Sequence, residues 1–335
     1  MPDSGNLPIG KTKYQHLADY ITGLINDDHL QIGDQLPSLK KLQEQLKMSK
    51  ETLLKGLNEL VEKGIIESVY RKGYFVRKKH IEHSFRIFLL LDKMNILREQ
   101  FYRNLFNQIA GNADIDIYFH HHNYQVFEKL IRENLGNYTH YVIATFFKED
   151  VAPVLNMIPE KKRIIIDLNQ PGLTGNYSCV YQDYGHDIYH SLHKLKNELN
   201  KYKKLILVAH PEATHAKLVI DGFLHYCNEL SFPYMIQPEI DENTFKKGNA
   251  YITFSRYDTD DVMLIKLARK KKLKLGKDIG LISYNDTDVK EILEDGITVI
   301  STDFEAMGKT VAQIITENKT IVKRNPTKVI LRNSL

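Results

Sequence analysis

The stretch Ile32 to Val76, IGDQLPSLKKLQEQLKMSKETLLKGLNELVEKGIIESVYRKGYFV, carries two periodicities in succession. Leu39, Leu42 and Leu46 share one face of a short helix, and Leu53, Leu57, Leu60 and Val61 share one face of a longer one, so the two apolar stripes can pack together. Ser49 stands where an N-cap belongs, and Lys50, Glu51 and Lys55 crowd the opening turns behind it. Such a helix start offers spare N–H donors, the positive dipole end and cations to a phosphate backbone. After Gly64 the period falls to two: Ile65 to Tyr70, then Arg71-Lys72-Gly73, then Tyr74 to Val76, which reads as a β-hairpin with a basic tip. A helix-turn-helix followed by a hairpin is a winged helix, whose second helix enters the major groove while the wing lies along the duplex.

Upstream, residues 1 to 10 lack periodicity and read as a loose arm. A helix then begins near Lys11, with Tyr14, Leu17, Ala18, Ile21, Leu24 and Ile25 completing the small core. Lys47, Lys50, Lys55, Lys63, Arg71, Lys72, Arg77, Lys78 and Lys79 concentrate positive charge on this element, although the whole chain carries only +4. That distribution suits a polyanionic partner.

At 335 residues the chain suits two domains, and KKHIEHS at 78 to 84 separates the wing from a different pattern. Beyond it, apolar runs such as Phe85 to Leu91, Tyr141 to Thr145, Arg163 to Asp167, Lys204 to Ala209, Ala250 to Phe254 and Ile279 to Ser283 alternate with amphipathic helices. This predicts parallel sheets covered on both faces and split into two α/β lobes, the second restarting after a crossing near Val180, with a helix from Phe304 to Asn318 and a terminal strand from Lys328 to Arg332 closing the chain. The expected boundaries are 1–79 for the winged-helix domain and 80–335 for the two-lobed α/β domain.

Two cysteines, Cys179 and Cys227, offer no disulfide framework and fit a reducing cytoplasm. No long apolar run and no export signal are visible. His120-His121-His122 raises the idea of a metal, but successive strand residues point to opposite faces, so a polar strand end near a cleft is the better reading. Neither metal nor cofactor is expected.

The pattern LPSxxxLxxxLxxSxxTxxxxLxxLxxxGxIxxxxxxGxFV resembles the GntR-type winged helix of bacterial transcription regulators, with Pro37-Ser38, Ser49, Thr52, Gly64, Gly73 and Phe75-Val76 in register. Lys stands at 40 and 50 where that family usually has Arg, and the customary Gly-x-Gly of the wing is Arg71-Lys72-Gly73. The resemblance implies DNA contact by Lys40, Ser49, Lys50, Glu51, Thr52, Lys55, Arg71, Lys72, Gly73 and Tyr74.

The remainder resembles the sugar-binding domain shared by LacI-type repressors and type I periplasmic binding proteins, through HAKLVIDGF at 215–223, KLKLGKDIGLISYNDT at 272–287 and ITVISTDFEAMGKTVAQII at 297–315. Ligands of open α/β sheets bind beyond the carboxyl ends of the strands, where this chain places Asp92, Phe146, Asp167, Asn285, Thr302 and Asp303. Aromatic rings beside carboxylates and amides suit a polyhydroxylated ligand. The resemblance adds Lys217, where Arg is usual, and the Arg256-Tyr257-Asp258 segment, of which Arg256 and Asp258 are counted as ligand-binding. Joining these two parts resembles the architecture of arabinose-operon repressors. The expectation is a non-enzymatic, cytoplasmic, homodimeric regulator, a repressor, that binds double-stranded operator DNA and responds to a monosaccharide. An autoregulatory sugar-processing enzyme, or an activator sensing a nucleotide or other small metabolite, are the competing readings.

Overall fold

The computed structural model describes residues 13–26, 29–62, 64–77, 85–109, 113–210, 215–254 and 259–335. The arm at 1–10 and the stretch at 78–84 lie outside them. Two compact units emerge: the segment up to Ile87 with Ala110–Asp116 and Ile131–His140, and a second of Phe88–Ile109, Ile117–Leu130 and Tyr141–Leu335.

The first contains the winged helix: α1 (Lys13–Asn26), α2 (Leu39–Leu46), α3 (Lys50–Glu62), β1 (Ile66–Val69) and β2 (Gly73–Val76). Leu17, Ile21, Ile25, Leu42, Leu53, Leu57 and Leu60 are all buried in one core, sealed from below by Ile65, Ile66 and Val76. Strands β1 and β2 pair antiparallel with Val69 opposite Gly73, leaving Tyr70-Arg71-Lys72 as the tip. The hairpin is anchored on its far edge, where Leu36 N–H donates to the Tyr74 carbonyl at 2.8 Å and Gly33 N–H to that of Val76 at 2.8 Å.

The rest of the chain follows as β3 (Phe85–Leu91), α4 (Ile96–Ile109), β4 (Ala113–Phe119), α5 (Tyr124–Asn134), β5 (His140–Ala144), α6 (Ala152–Leu155), β6 (Arg163–Asp167), β7 (Ser178–Tyr181), α7 (Tyr184–Lys194), α8 (Lys196–Leu199), β8 (Lys204–Val208), α9 (Ala216–Glu229), β9 (Tyr234–Gln237), β10 (Asn249–Thr253), α10 (Thr259–Lys270), β11 (Gly280–Tyr284), α11 (Asp288–Ile292), β12 (Thr298–Thr302), α12 (Phe304–Glu317), β13 (Val322–Arg324) and β14 (Thr327–Ile330). One sheet has the order β13-β7-β6-β5-β3-β4 and the other β14-β12-β11-β10-β8-β9. Pairings β5–β6, β6–β7, β8–β9, β8–β10, β10–β11 and β11–β12 are parallel, so the expected parallel α/β class is what the chain adopts.

The closing helix and strands complete the two lobes in turn. The second lobe does not run uninterrupted to the end: after β12 the chain returns, packs α12 on α4 and adds β13 beside β7, then crosses again so that β14 pairs antiparallel with β12. Helical periodicity shows that α12 is amphipathic, not which partner it covers. Gly308 decides that, because a Cβ there would stand 2.5 Å from the Phe101 carbonyl oxygen of α4. The helical run from Tyr184 to Leu199 is interrupted at Leu195, which divides it into α7 and α8.

The connections between the sheets are tied to one another. Asn325 N–H donates to the Tyr181 carbonyl at 2.7 Å, Asn325 Nδ2 to the Asp303 carbonyl at 3.0 Å, and Asp303 N–H to the Pro326 carbonyl at 3.0 Å. Asn325 is buried, so these bonds form a shielded hinge.

Candidate functional site: a winged helix and an interlobe cavity

In the winged helix, Ser49 caps α3 as its position requires. Its Oγ accepts from Thr52 N–H at 3.3 Å and lies 2.8 Å from Thr52 Oγ1. Both hydroxyls are therefore partly occupied with the helix start. Lys40, Lys50, Glu51, Lys55, Arg71 and Lys72 are exposed, whereas Tyr74 is half-buried against the core. Gly73 has φ +109°, and Arg71 takes φ +59°, the left-handed conformation for which glycine is the usual residue. At the tip the Arg71 guanidinium covers the Tyr70 ring at 5.2 Å, and that ring is 82% exposed. Tyr70 went unnoticed in the sequence because alternation made it an ordinary strand residue.

In the second unit a cavity of about 530 Å³ opens between the carboxyl ends of the two sheets. Asp92 follows β3, His122 follows β4, Phe146 follows β5, Asp167 ends β6, Gln182 follows β7, Phe254 follows β10, Tyr284 ends β11, and Asn285 comes next; all line it. One side is aromatic: Tyr184 stacks on His215 at 4.6 Å and 17°, His215 meets Phe254 at 4.7 Å, and Phe254 meets Tyr284 at 4.1 Å. Burial, with His122 nearby, pushes His215 down to about 4, so that imidazole is neutral at ordinary pH.

The other side is a buried ionic cluster. Arg98 Nε donates to Asp92 Oδ1 at 2.9 Å, and Arg98 Nη2 lies 2.7 Å from Asp167 Oδ2 and 2.8 Å from Asp92 Oδ1. Gln182 Nε2 donates to the other Asp167 oxygen at 2.7 Å, and Thr302 Oγ1 donates to Gln182 Oε1 at 2.7 Å. Burial opposes charge on Asp92, but Arg98 outweighs it and the carboxyl sits below its usual range. Burial drives the Asp167 carboxyl up against the pull of the same guanidinium. Burial likewise works against the Arg98 charge, yet the two carboxylates raise its pKa further, so it stays a cation. Asp167 has φ +74°, and Leu168 N–H donates to the Ile166 carbonyl at 3.1 Å, closing a three-residue turn of the rare, strained kind.

Beneath Tyr284 and Asn285 lies a second buried charge. Lys290 Nζ donates to Ser283 Oγ at 2.8 Å and to the carbonyls of Tyr284 and Asn285 at 3.0 and 2.9 Å, with Asp261 at 3.4 Å. Asp261 in turn accepts from Thr253 and Ser283 hydroxyls at 2.5 and 2.6 Å. This lysine fixes the backbone that presents Asn285, itself at φ +60°.

Of the expected ligand residues, Asp92, Phe146, Asp167 and Asn285 thus come together. Thr302 and Asp303 line a separate cavity of about 340 Å³. There Asp303 caps α12, accepting from Ala306 N–H at 2.9 Å, and pairs with Lys328 at 2.5 Å. Lys217 stands exposed on α9 outside the cavity lining, because the buried stripe of that helix is Ala216, Val219, Gly222, Phe223 and Tyr226. Arg256 and Asp258 lie outside the described residues. Arg98 was missed, although a signal existed: it falls in phase with Phe101, Leu105 and Ile109 on the buried stripe of α4. His120 is no cavity group but a buried neutral one. His122 N–H donates to its Nδ1 at 3.1 Å, leaving Nε2 as the proton-bearing nitrogen, 3.3 Å from the Ala144 carbonyl.

Residues 13–76 match the family described as bacterial regulatory proteins, gntR family. The N-terminal domain is a GntR-type helix-turn-helix domain. This GntR-type domain is 46% identical over 66 residues to the uncharacterized HTH-type transcriptional regulator YydK of Bacillus subtilis, and 33% over 74 residues to the mannosyl-D-glycerate transport/metabolism system repressor MngR of Escherichia coli. Those alignments take in 20% and 22% of this chain and only 28% and 31% of the relatives' lengths. The remainder has the fold of LacI and periplasmic-binding-protein regulators. A periplasmic binding protein/LacI transcriptional regulator from Alkaliphilus metalliredigens, complexed with D-xylulofuranose, superposes with a TM-score of 0.58 at 13% identity over 75% of this chain and 99% of that one. A dimeric Lac repressor superposes with a TM-score of 0.62 at 13% identity over 74% and 98%.

Proposed function

We propose that this protein is a ligand-responsive transcription regulator, a cytoplasmic repressor whose residues 1–79 grip operator DNA and whose residues 80–335 bind a small sugar and pair two copies. The observation that carries the reading is the cavity: aromatic faces on one side, buried polar groups on the other, in a chain that also carries a GntR-type domain. Three acidic side chains, Asp92, Glu149 and Asp167, and three basic ones, Lys93, Arg98 and Lys148, line it, so it calls for no ionic ligand. A neutral polyhydroxyl molecule suits it, its C–H faces meeting rings and its hydroxyls meeting donors and acceptors. Relatives support the same reading: one is a mannosyl-D-glycerate transport/metabolism system repressor, and a fold neighbour is complexed with D-xylulofuranose.

Exposed Lys50 and Lys55 at the start of α3, with Lys40 and the Arg71-Lys72 tip, are assigned to DNA. Two heads on paired bodies meet two half-sites. The sugar shifts DNA affinity by its preference for one lobe arrangement, typically about 1–3 kcal/mol. The test is fluorescence anisotropy with duplex from the gene's own upstream region. Binding should weaken in Lys50→Ala, with a salt slope shallower by roughly one. Absence of wild-type binding at low ionic strength would end the proposal.

A further inference from the structure

We propose that Arg98, and not the carboxylates beside it, is the residue that reads the ligand, through an oxygen acceptor that engages Nη1. The inference rests on the sugar-sensing reading of the cavity. Acidic residues at strand ends would ordinarily be assigned to sugar hydroxyls, but here three of the four carboxylate oxygens are already committed inward, and the fourth, Asp92 Oδ2, lies 3.8 Å from His122 Nε2. Both Asp167 oxygens are taken, one by Arg98 Nη2 and one by Gln182 Nε2, and Asp92 Oδ1 is taken by Arg98 Nε. Asn285 Oδ1 likewise accepts from Thr302 N–H at 3.1 Å.

Arg98 is the converse case. It lines the cavity, it is 3% exposed, and its Nη1 has no acceptor among the described residues. A buried donor of a charged group left without a partner is costly, and a ligand oxygen at that position removes the cost. The guanidinium is also held rigidly, by two carboxylates along one edge and by the Phe146 ring, 5.6 Å from its centre. A planar fork fixed on two nitrogens presents its third in a defined direction, which a lysine ammonium does not. Asp92 and Asp167 are accordingly positioning residues. His215, whose Nδ1 also has no partner among the described residues, supplies a second polar point on the opposite side. The ligand is therefore recognised by what it accepts as much as by what it donates.

The test uses the full chain and a panel of neutral pentoses, hexoses and disaccharides, read by thermal shift and then calorimetry. Arg98→Lys should weaken binding of any sugar that stabilises the wild type by at least ~30-fold, while Lys217→Ala, on the exposed face of α9 outside the cavity lining, changes it by less than ~5-fold. Because Arg98→Lys could disturb folding, the triple variant Arg98→Met, Asp92→Asn, Asp167→Asn, which leaves no charge in the cluster, provides a second arm and should also lose binding. Binding within ~5-fold of the wild type in Arg98→Lys, or binding retained in the triple variant, overturns the assignment while leaving the sensing role intact. If no sugar in the panel stabilises the wild-type chain, the sensing reading fails and this inference falls with it.

Discussion

Arg71 illustrates how one side chain can serve a surface at the expense of its own backbone. Its left-handed φ costs a non-glycine residue roughly 1 kcal/mol, and nothing in the tip repays it except the charge and the cover it gives Tyr70. Arg71→Gly should therefore raise unfolding stability of the winged helix by up to ~1 kcal/mol in urea titration while weakening DNA binding and flattening its salt dependence. A variant that loses stability would show the conformation to be unstrained. His120 gives a pH prediction. Burial lowers it to about 4, so the folded state prefers the neutral ring. Its contribution is complete above the unfolded value near 6.5 and is lost as pH falls toward 4, about 3 kcal/mol in all. Urea midpoints should fall across that window, and His120→Asn should flatten the fall. At this scale the sequence was partly legible. Asp92, Phe146, Asp167 and Asn285 follow directly on apolar strands, so their placement was readable. Arg98 was not, because an arginine on a helix is ordinarily solvated and only its three-dimensional partners reveal that it is buried.

Elements were recovered where one face is apolar and lost where neither is. β13 has three exposed residues, Val322, Lys323 and Arg324, so no alternation marks it, and β9 begins with an exposed Tyr234. The packing of α7 on α9 depends on glycines whose role is invisible to periodicity. A Cβ on Gly222 would stand 2.2 Å from the Gly185 carbonyl oxygen, a backbone atom that cannot swing aside. Gly222→Ala should thus destabilise the second unit by about 1–3 kcal/mol or more, measured by denaturant unfolding. A neutral result would mean that the two helices can slide apart freely. The break at Leu195 is similarly opaque, since both halves carry buried leucines in phase.

For the two-lobed body as a whole, local pattern identified the class but not the route of the chain, because sheet membership of α12 and β13 is settled by contacts more than a hundred residues apart. Those contacts also suggest how the lobes are kept in register. Thr302 belongs to one sheet and Asp167 to the other, with Gln182 between them. Thr302→Val keeps the shape but removes the donor, leaving the Gln182 carbonyl unsatisfied. Hydrogen exchange of Gln182 and Asn325 amides, which donate to Asp167 and Tyr181, should accelerate by about tenfold. Unchanged protection would mean that the backbone hinge alone sets the geometry.

That amide works as a feeler gauge. A hydrogen bond tolerates only a few tenths of an ångström before it weakens steeply, so a separation of the sheets too small to alter either lobe's interior would still disengage Gln182 from one neighbour. On the proposed reading, ligand exchange would then be timed by the release of a single side chain, and a change at position 182, itself part of the chamber wall, would alter both the tempo of exchange and the surface the ligand meets.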